Sequence, residues 1–93
     1  MNEKVLQFVT YYEKQEQIVK RFVKFRKDMK ISQKRLAIIS DVSYASIRRF
    51  ENTGEISFSS LIKIMLALQL YEELDMLFNE RKIYTSIEEL IND

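Results

Sequence analysis

The sequence contains no cysteine, no histidine and no proline, and its only glycine is Gly54. Without cysteine or histidine it has neither a disulfide framework nor the usual ligands and bases of structural zinc sites and catalytic triads. A single glycine excludes the glycine-rich loops that bind phosphates, and the absence of proline favours uninterrupted helices. We therefore expect no metal, no cofactor and no enzymatic activity.

Long apolar runs are also missing, since no stretch reaches the roughly 18 apolar residues of a membrane span. Residues 1–12 have no basic start and no small-residue cleavage site, so we expect no secretory signal. The sequence thus predicts a cytoplasmic protein without a membrane partner. Its 93 residues, 46% hydrophobic and 31% charged, are typical of one folded domain, here residues 1–93.

The net charge of +1 hides an asymmetry along the chain. Residues 18–54 carry ten lysines and arginines against three acidic residues, whereas residues 55–93 carry three against eight. One part of the molecule is therefore expected to attract polyanions.

Apolar residues recur at helical spacing, which predicts an all-α fold. Residues 3–13 and 15–30 predict two amphipathic helices or one long helix, because nothing breaks the pattern between them. The shared apolar face predicted for the second stretch is Ile18, Val19, Phe22, Phe25 and Met29.

Two short helices follow, and each is preceded by a serine that can cap it. Ser32 is expected to cap a helix over residues 33–40, and Ser43 one over residues 44–52. Asp41 and Val42 form the predicted turn, and Gly54 is expected to adopt the left-handed conformation that ends the second helix. The side chains predicted to face the core are Leu36, Ala37, Ile39, Ile47 and Phe50.

The C-terminal part predicts a central apolar helix from Ser57 or Ser59 through Leu70, and then an amphipathic turn or two over residues 71–79. Residues 82–85 predict a loop or short strand, and Ser86 with Glu89 a capping box that opens a last helix. Apolar residues at both ends of the chain are expected to pack in the protomer, in a dimer or on a partner. Those predicted to face inward after residue 70 are Leu74, Leu77 and Phe78.

Two short helices joined by a tight turn are typical of a helix-turn-helix motif. Ala37 leaves room for the second helix, and Val42 fills the gap between the two. The segments SQKRLA at 32–37, VS at 42–43 and SIRRFEN at 46–52 resemble the XRE/Cro/C1 family of phage-repressor-like proteins. The resemblance covers about residues 16–78, with the motif at 32–52. One departure is Asp41, where the family usually has glycine, and Asp tolerates the left-handed conformation better than most residues.

The resemblance implies a lambda-repressor-like domain of five to six helices with short N- and C-terminal extensions. A narrower resemblance, carried by SIRRFENTGEIS at 46–57, LAL at 66–68 and DMLF at 75–78, is to HipB-like antitoxins. It implies a homodimer on palindromic double-stranded DNA, associated with the nucleoid, whose second partner is a HipA-like kinase toxin.

The resemblance also implies roles for individual residues. Base edges would be faced by Tyr44, Ala45, Arg48 and Arg49, with one of the two arginines free to contact phosphate instead. An ion pair between Arg26 and Glu51 would join the first helix to the recognition helix. The residues expected at the DNA backbone are Gln33, Lys34, Arg35, Ser43, Ser46 and Asn52.

Three functional hypotheses follow. The first is a sequence-specific DNA-binding regulator, a dimeric autorepressor acting as an antitoxin or a stand-alone repressor. The second is an interaction module that neutralises a partner with little specific DNA binding. An enzyme, the third, has no support in the sequence.

Overall fold

The computed structural model describes the backbone of residues 3–80 and 91, and the side chains of residues 10–80 and 91. Residues 3–80 form helices and no strand, which confirms the all-α prediction. The predicted loop or strand at 82–85 and the capping box of Ser86 and Glu89 lie outside the described residues. The five helices of residues 3–80 are α1 (Glu3–Asp28), α2 (Gln33–Ser40), α3 (Tyr44–Thr53), α4 (Phe58–Ala67) and α5 (Tyr71–Met76).

Helix α1 is continuous over 26 residues, so the two N-terminal stretches form one long helix of about 39 Å. It ends at Asp28, and the chain turns at Lys30, whose φ of 59° is left-handed. There the backbone N–H of Ile31 donates to the carbonyl of Arg26 at 3.2 Å, and that of Lys30 to Lys27 at 2.9 Å. These are the two bonds of a Schellman motif, which ends a helix without proline or glycine.

Serine hydroxyls begin the next three helices. The Oγ of Ser32 accepts from the N–H of Arg35, that of Ser43 from Ser46 and that of Ser57 from Ser60. The predicted caps at Ser32 and Ser43 are confirmed, and Ser57 rather than Ser59 begins α4. Each hydroxyl satisfies a backbone donor that the first turn of a helix leaves free.

The turn between α2 and α3 keeps its geometry without glycine. Asp41 has φ 58° and ψ 34°, the left-handed conformation expected for it. The buried hydroxyl of Ser40 accepts from the N–H of Val42 at 3.3 Å and supports the turn from inside. Gly54, with φ 80°, ends α3 as predicted.

The core lies where α2, α3 and α4 meet, with α1 packed on α3 and α5 on α4. The rings of Phe22 on α1 and Phe50 on α3 meet edge to face, with centroids 5.1 Å apart. Such a contact adds to the burial of both rings. The buried side chains at the centre of the core are Leu36, Val42, Ile47, Ile64 and Leu68.

A direct hydrogen bond ties α1 to the end of α3. The side-chain amide of Gln15 donates to the carbonyl of Gly54 at 2.9 Å. A Cβ on Gly54 would lie only 2.7–2.9 Å from the side-chain atoms of Gln15. The φ of Gly54 therefore favours glycine, and a Cβ there would also displace the side chain of Gln15.

Several residues predicted to face the core are exposed in the structure. On α1, Val19 is buried and Phe22 partly so, but the other three residues of the predicted face are 38–50% exposed. Helix α4 ends at Ala67 instead of Leu70, because Gln69 turns left-handed at φ 60° and a second Schellman motif closes the helix. The predicted core residues that are exposed are Ile18, Phe25, Met29, Ile39, Leu77 and Phe78.

Candidate nucleic-acid interface

Helix α3 is held with one side in the core and the other side free. Ile47 and Phe50 are buried, as predicted, and together with Leu36 of α2 they fix the rotation of the helix. The opposite side spans an arc of about 140° at 100° per residue. The exposed residues on that side include all four candidates for base contact, Tyr44, Ala45, Arg48 and Arg49.

The candidates for backbone contact lie mainly at the starts of α2 and α3. Lys34 and Arg35 are exposed in the first turn of α2. Ser43 caps α3, and its hydroxyl also donates to the Oγ of the partly buried Ser46 at 2.7 Å. Asn52 is exposed two turns further along α3. The N-terminal ends of two helices thus carry most of these polar groups, as is favourable for phosphate.

Arg26 and Glu51 form the structural link beneath this surface. The Nε of Arg26 donates to Oε2 of Glu51 at 2.7 Å, and Nη2 donates to Oε1 at 2.9 Å. A third donor, Nη1, reaches the carbonyl of Ile31 at 2.9 Å. Because the two side chains are only 8% and 6% exposed, this bidentate pair holds α1 against α3 away from solvent.

Gln33 joins the same network, which sequence reasoning did not foresee. Its side-chain amide donates to Oε1 of Glu51 at 2.8 Å, and the residue is partly buried. One N–H of the amide is therefore used inside the protein. The carboxylate of Glu51 thus connects α1, α2 and α3 at one point. The contact of Gln33 with a DNA phosphate stays a prediction, and it would use the second N–H of the side-chain amide.

Tyr44, at the start of α3, is approached by two cations. The Nζ of Lys34 on α2 lies over its ring at 5.8 Å from the centroid. The guanidinium carbon of Arg48, one turn along α3, lies over the ring at 5.6 Å. Both distances are within the range of cation–π attraction. Sequence spacing gives the Tyr44–Arg48 contact, but the Lys34 contact depends on how α2 and α3 pack.

The two arginines of α3 differ in their surroundings. Arg49 lies 3.8 Å from the carboxylate of Glu55, beside a depression of about 350 Å³ between α3 and the start of α4. Sequence reasoning assigned no binding role to Ser57 and Ser60, which also line this depression. In contrast, Arg48 has no salt bridge among residues 10–80.

Lys34 and Arg35 likewise have no salt bridge within the described side chains. Three cations on α2 and α3 therefore stand close to the surface without a counter-ion among the described side chains. On α1, Lys20 and Lys24 pair with Glu16 and Asp28, and Arg21 and Lys27 are also without a salt bridge there. Unneutralised positive charge at a helix-turn-helix surface attracts the phosphate backbone of DNA.

Metal-binding geometry does not occur in the described part, where no three acidic side chains come together. Over the same residues, no helix combines the length and the apolar composition needed to cross a bilayer.

The comparison with known families agrees with this geometry. Residues 21–71, which include α2, α3 and α4 and more than half of the chain, match the family of the Cro/C1-type HTH DNA-binding domain. No curated protein and no solved structure matches the chain. The matched segment contains the Arg26–Glu51 pair, the three serine-capped helices and the exposed side of α3. The chain belongs to the Cro/C1-type helix-turn-helix family of DNA-binding regulators.

Proposed function

We propose that this protein is a sequence-specific transcriptional repressor that binds a palindromic operator in its own promoter as a homodimer. The observation that carries the proposal is the exposed side of α3, where Arg48 stands without a counter-ion in the described part of the chain. In a helix-turn-helix protein the second helix enters the major groove and its N-terminal residues contact base edges. Tyr44, Ala45 and Arg48 occupy that position.

Base reading falls mainly to Arg48. An arginine can donate two hydrogen bonds to the O6 and N7 of guanine, which is worth about 1–3 kcal/mol of discrimination against the wrong base. Arg49 leans toward Glu55 and the start of α4. We assign it to the phosphate side of the groove, and Ala45 to contact with a thymine methyl group.

Backbone contacts position the protein without reading sequence. We assign this role to Lys34 and Arg35 at the start of α2, to Ser43 and Ser46 at the start of α3, and to Asn52. The buried Arg26–Glu51 pair supports these groups by fixing α1 and α2 against α3.

A dimer accounts for the exposed apolar side chains at the end of α5. Phe78 is 95% exposed and Met76 65%, which is unfavourable for large apolar side chains in a monomer. A two-fold dimer would place its two recognition helices about 34 Å apart, one turn of B-DNA.

A more specific role is that of the antitoxin of a HipA-like kinase. The resemblance of residues 46–57 and 75–78 to HipB-like antitoxins suggests it. Co-expression with a kinase of this type encoded beside the chain tests it. A stable complex with loss of kinase activity supports the antitoxin role, and two proteins that elute separately would leave a stand-alone repressor.

Fluorescence anisotropy against the promoter and against random DNA, at several salt concentrations, tests the main proposal. A specific site is expected to bind about 10³-fold or more tightly than random DNA. Arg48→Ala should relax preference at one base pair of each half-site, whereas Lys34→Ala should weaken binding to all sequences and reduce the salt slope by about one. Lys24→Ala is the matched control, because Lys24 is already paired with Asp28.

Equal affinity for promoter and random DNA would contradict the proposal. It would favour the interaction module, for which the exposed end of α5 is the surface to examine.

A further inference from the structure

The ring of Tyr44 links two functional cations on different helices. Lys34 belongs to α2 and Arg48 to α3, yet both lie over the same ring, at 5.8 and 5.6 Å from its centroid. Tyr44 itself is 38% exposed, so one part of the ring is covered by protein and the rest is open. The phenol ring therefore lies against one side chain from each helix of the motif.

Such a contact restricts side chains that are otherwise mobile. Lysine and arginine lose more rotamer freedom on ordering than most residues. Neither Lys34 nor Arg48 has a carboxylate partner in the described part of the chain. The ring, whose face is electron-rich, offers both cations an attractive contact in the free protein.

We propose that Tyr44 is a positioning residue that orients Arg48 for base reading and couples it to the backbone contact of Lys34. This inference rests on the proposed function, since it concerns how the same surface reads DNA. It replaces the base contact considered above for Tyr44, because the ring acts through the guanidinium of Arg48. Arg48 is then held close to its reading geometry in the free protein, which reduces the ordering cost on binding.

Two substitutions separate the ring from the hydroxyl. Tyr44→Phe keeps an aromatic face, and Tyr44→Leu keeps an apolar side chain of similar size without one. Binding is measured to the operator and to operators with each base pair changed in turn. Tyr44→Phe should match the wild type, whereas Tyr44→Leu should lose about three- to tenfold in discrimination at the base pair read by Arg48.

The double variant Tyr44→Leu with Arg48→Ala decides between positioning and direct contact. If the ring acts through Arg48, the double variant should lose no more base discrimination than Arg48→Ala alone, because the effects of coupled residues do not add, whereas release of Lys34 weakens binding to all sequences alike. A further loss of discrimination in the double variant would show that Tyr44 touches a base itself and would overturn the inference.

A measurement without DNA tests the contact independently. Protons over the face of an aromatic ring are shifted upfield in NMR spectra, so the side-chain protons of Arg48 should lie upfield in the wild type and in Tyr44→Phe. They should return to ordinary positions in Tyr44→Leu, whose folding is checked from its core methyl signals. An unshifted Arg48 in the wild type would overturn the inference.

Failure of the proposed function would give a different result from failure of the positioning role. A wild-type protein that binds all sequences equally would remove base reading altogether. If the wild type is selective and Tyr44→Leu is equally selective, only the positioning role of Tyr44 is contradicted.

Discussion

The guanidinium of Arg26 and the carboxylate of Glu51 meet through two parallel hydrogen bonds, of 2.7 and 2.9 Å, in a site from which water is nearly excluded. Their residues are 25 positions apart, on α1 and α3. A charge buried in this way requires its partner, because the energy of removing it from water is offset only by the opposite charge and its hydrogen bonds.

Glu51→Ala is therefore expected to lower the free energy of unfolding by about 3–5 kcal/mol. The substitution leaves the Arg26 guanidinium buried with only the carbonyl of Ile31 as a hydrogen-bond partner. Urea unfolding followed by circular dichroism measures the change. The paired replacement of Arg26 by Met and Glu51 by Leu should cost much less, because no unpaired charge remains.

Lys20→Ala provides the matched control for this prediction. Its ion pair with Glu16 is exposed, with side chains 75% and 67% accessible, so its loss should cost less than about 1 kcal/mol. If Glu51→Ala were as mild as Lys20→Ala, the Arg26–Glu51 pair would not be holding α1 against α3.

The local signals of the sequence predict the helix boundaries of the motif well. Ser32, Ser43, Asp41 and Gly54 each act within four residues of their own position, through a cap or a left-handed turn. Such features need no tertiary information. The ends of α1 and α4 are harder to predict, because Lys30 and Gln69 are unusual residues for the left-handed position and give no signal.

Burial is predicted less well, since helical spacing identifies an apolar face but not what covers it. Phe25, Met29 and Ile39 follow the pattern and remain exposed. The candidate site shows the same limit. The exposed side of α3 follows from the positions of Ile47 and Phe50, whereas the bond from Gln33 to Glu51 depends on how three helices pack.

Ile47→Ala and Ile38→Ala test the assignment of the core with the same chemical change. Ile47 is fully buried and Ile38 is 72% exposed on α2. We expect Ile47→Ala to lower the free energy of unfolding by about 2–5 kcal/mol, through lost burial and a residual cavity. Ile38→Ala should stay within about 0.5 kcal/mol of the wild type. Equal effects in urea unfolding would contradict the packing of α3 described above.

Gly54→Ala is expected to destabilise the protein for two separable reasons. Its left-handed φ of 80° disfavours a Cβ by about 1–2 kcal/mol. The new methyl group would also displace the side chain of Gln15, which now donates to the Gly54 carbonyl. Thermal unfolding of both single variants and the double variant separates the terms.

In a Gln15→Ala background the steric part should vanish and the backbone part should remain. If Gly54→Ala lowers stability not at all in that background, the left-handed φ contributes nothing to the loss of stability.

Ser43 caps α3, and we propose that it also contacts the DNA backbone; three substitutions separate the two roles. Ser43→Ala removes the cap of α3 and should cost about 1 kcal/mol of stability. Ser43→Asp keeps a capping oxygen and so keeps stability, but its negative charge would face the DNA backbone and should weaken operator binding roughly tenfold or more at about 0.1 M salt. Ser43→Thr caps without a charge and should retain both properties. A Ser43→Asp variant that is stable and binds the operator as tightly as the wild type would place Ser43 away from the phosphates, and the docking of α3 in the groove would have to be revised.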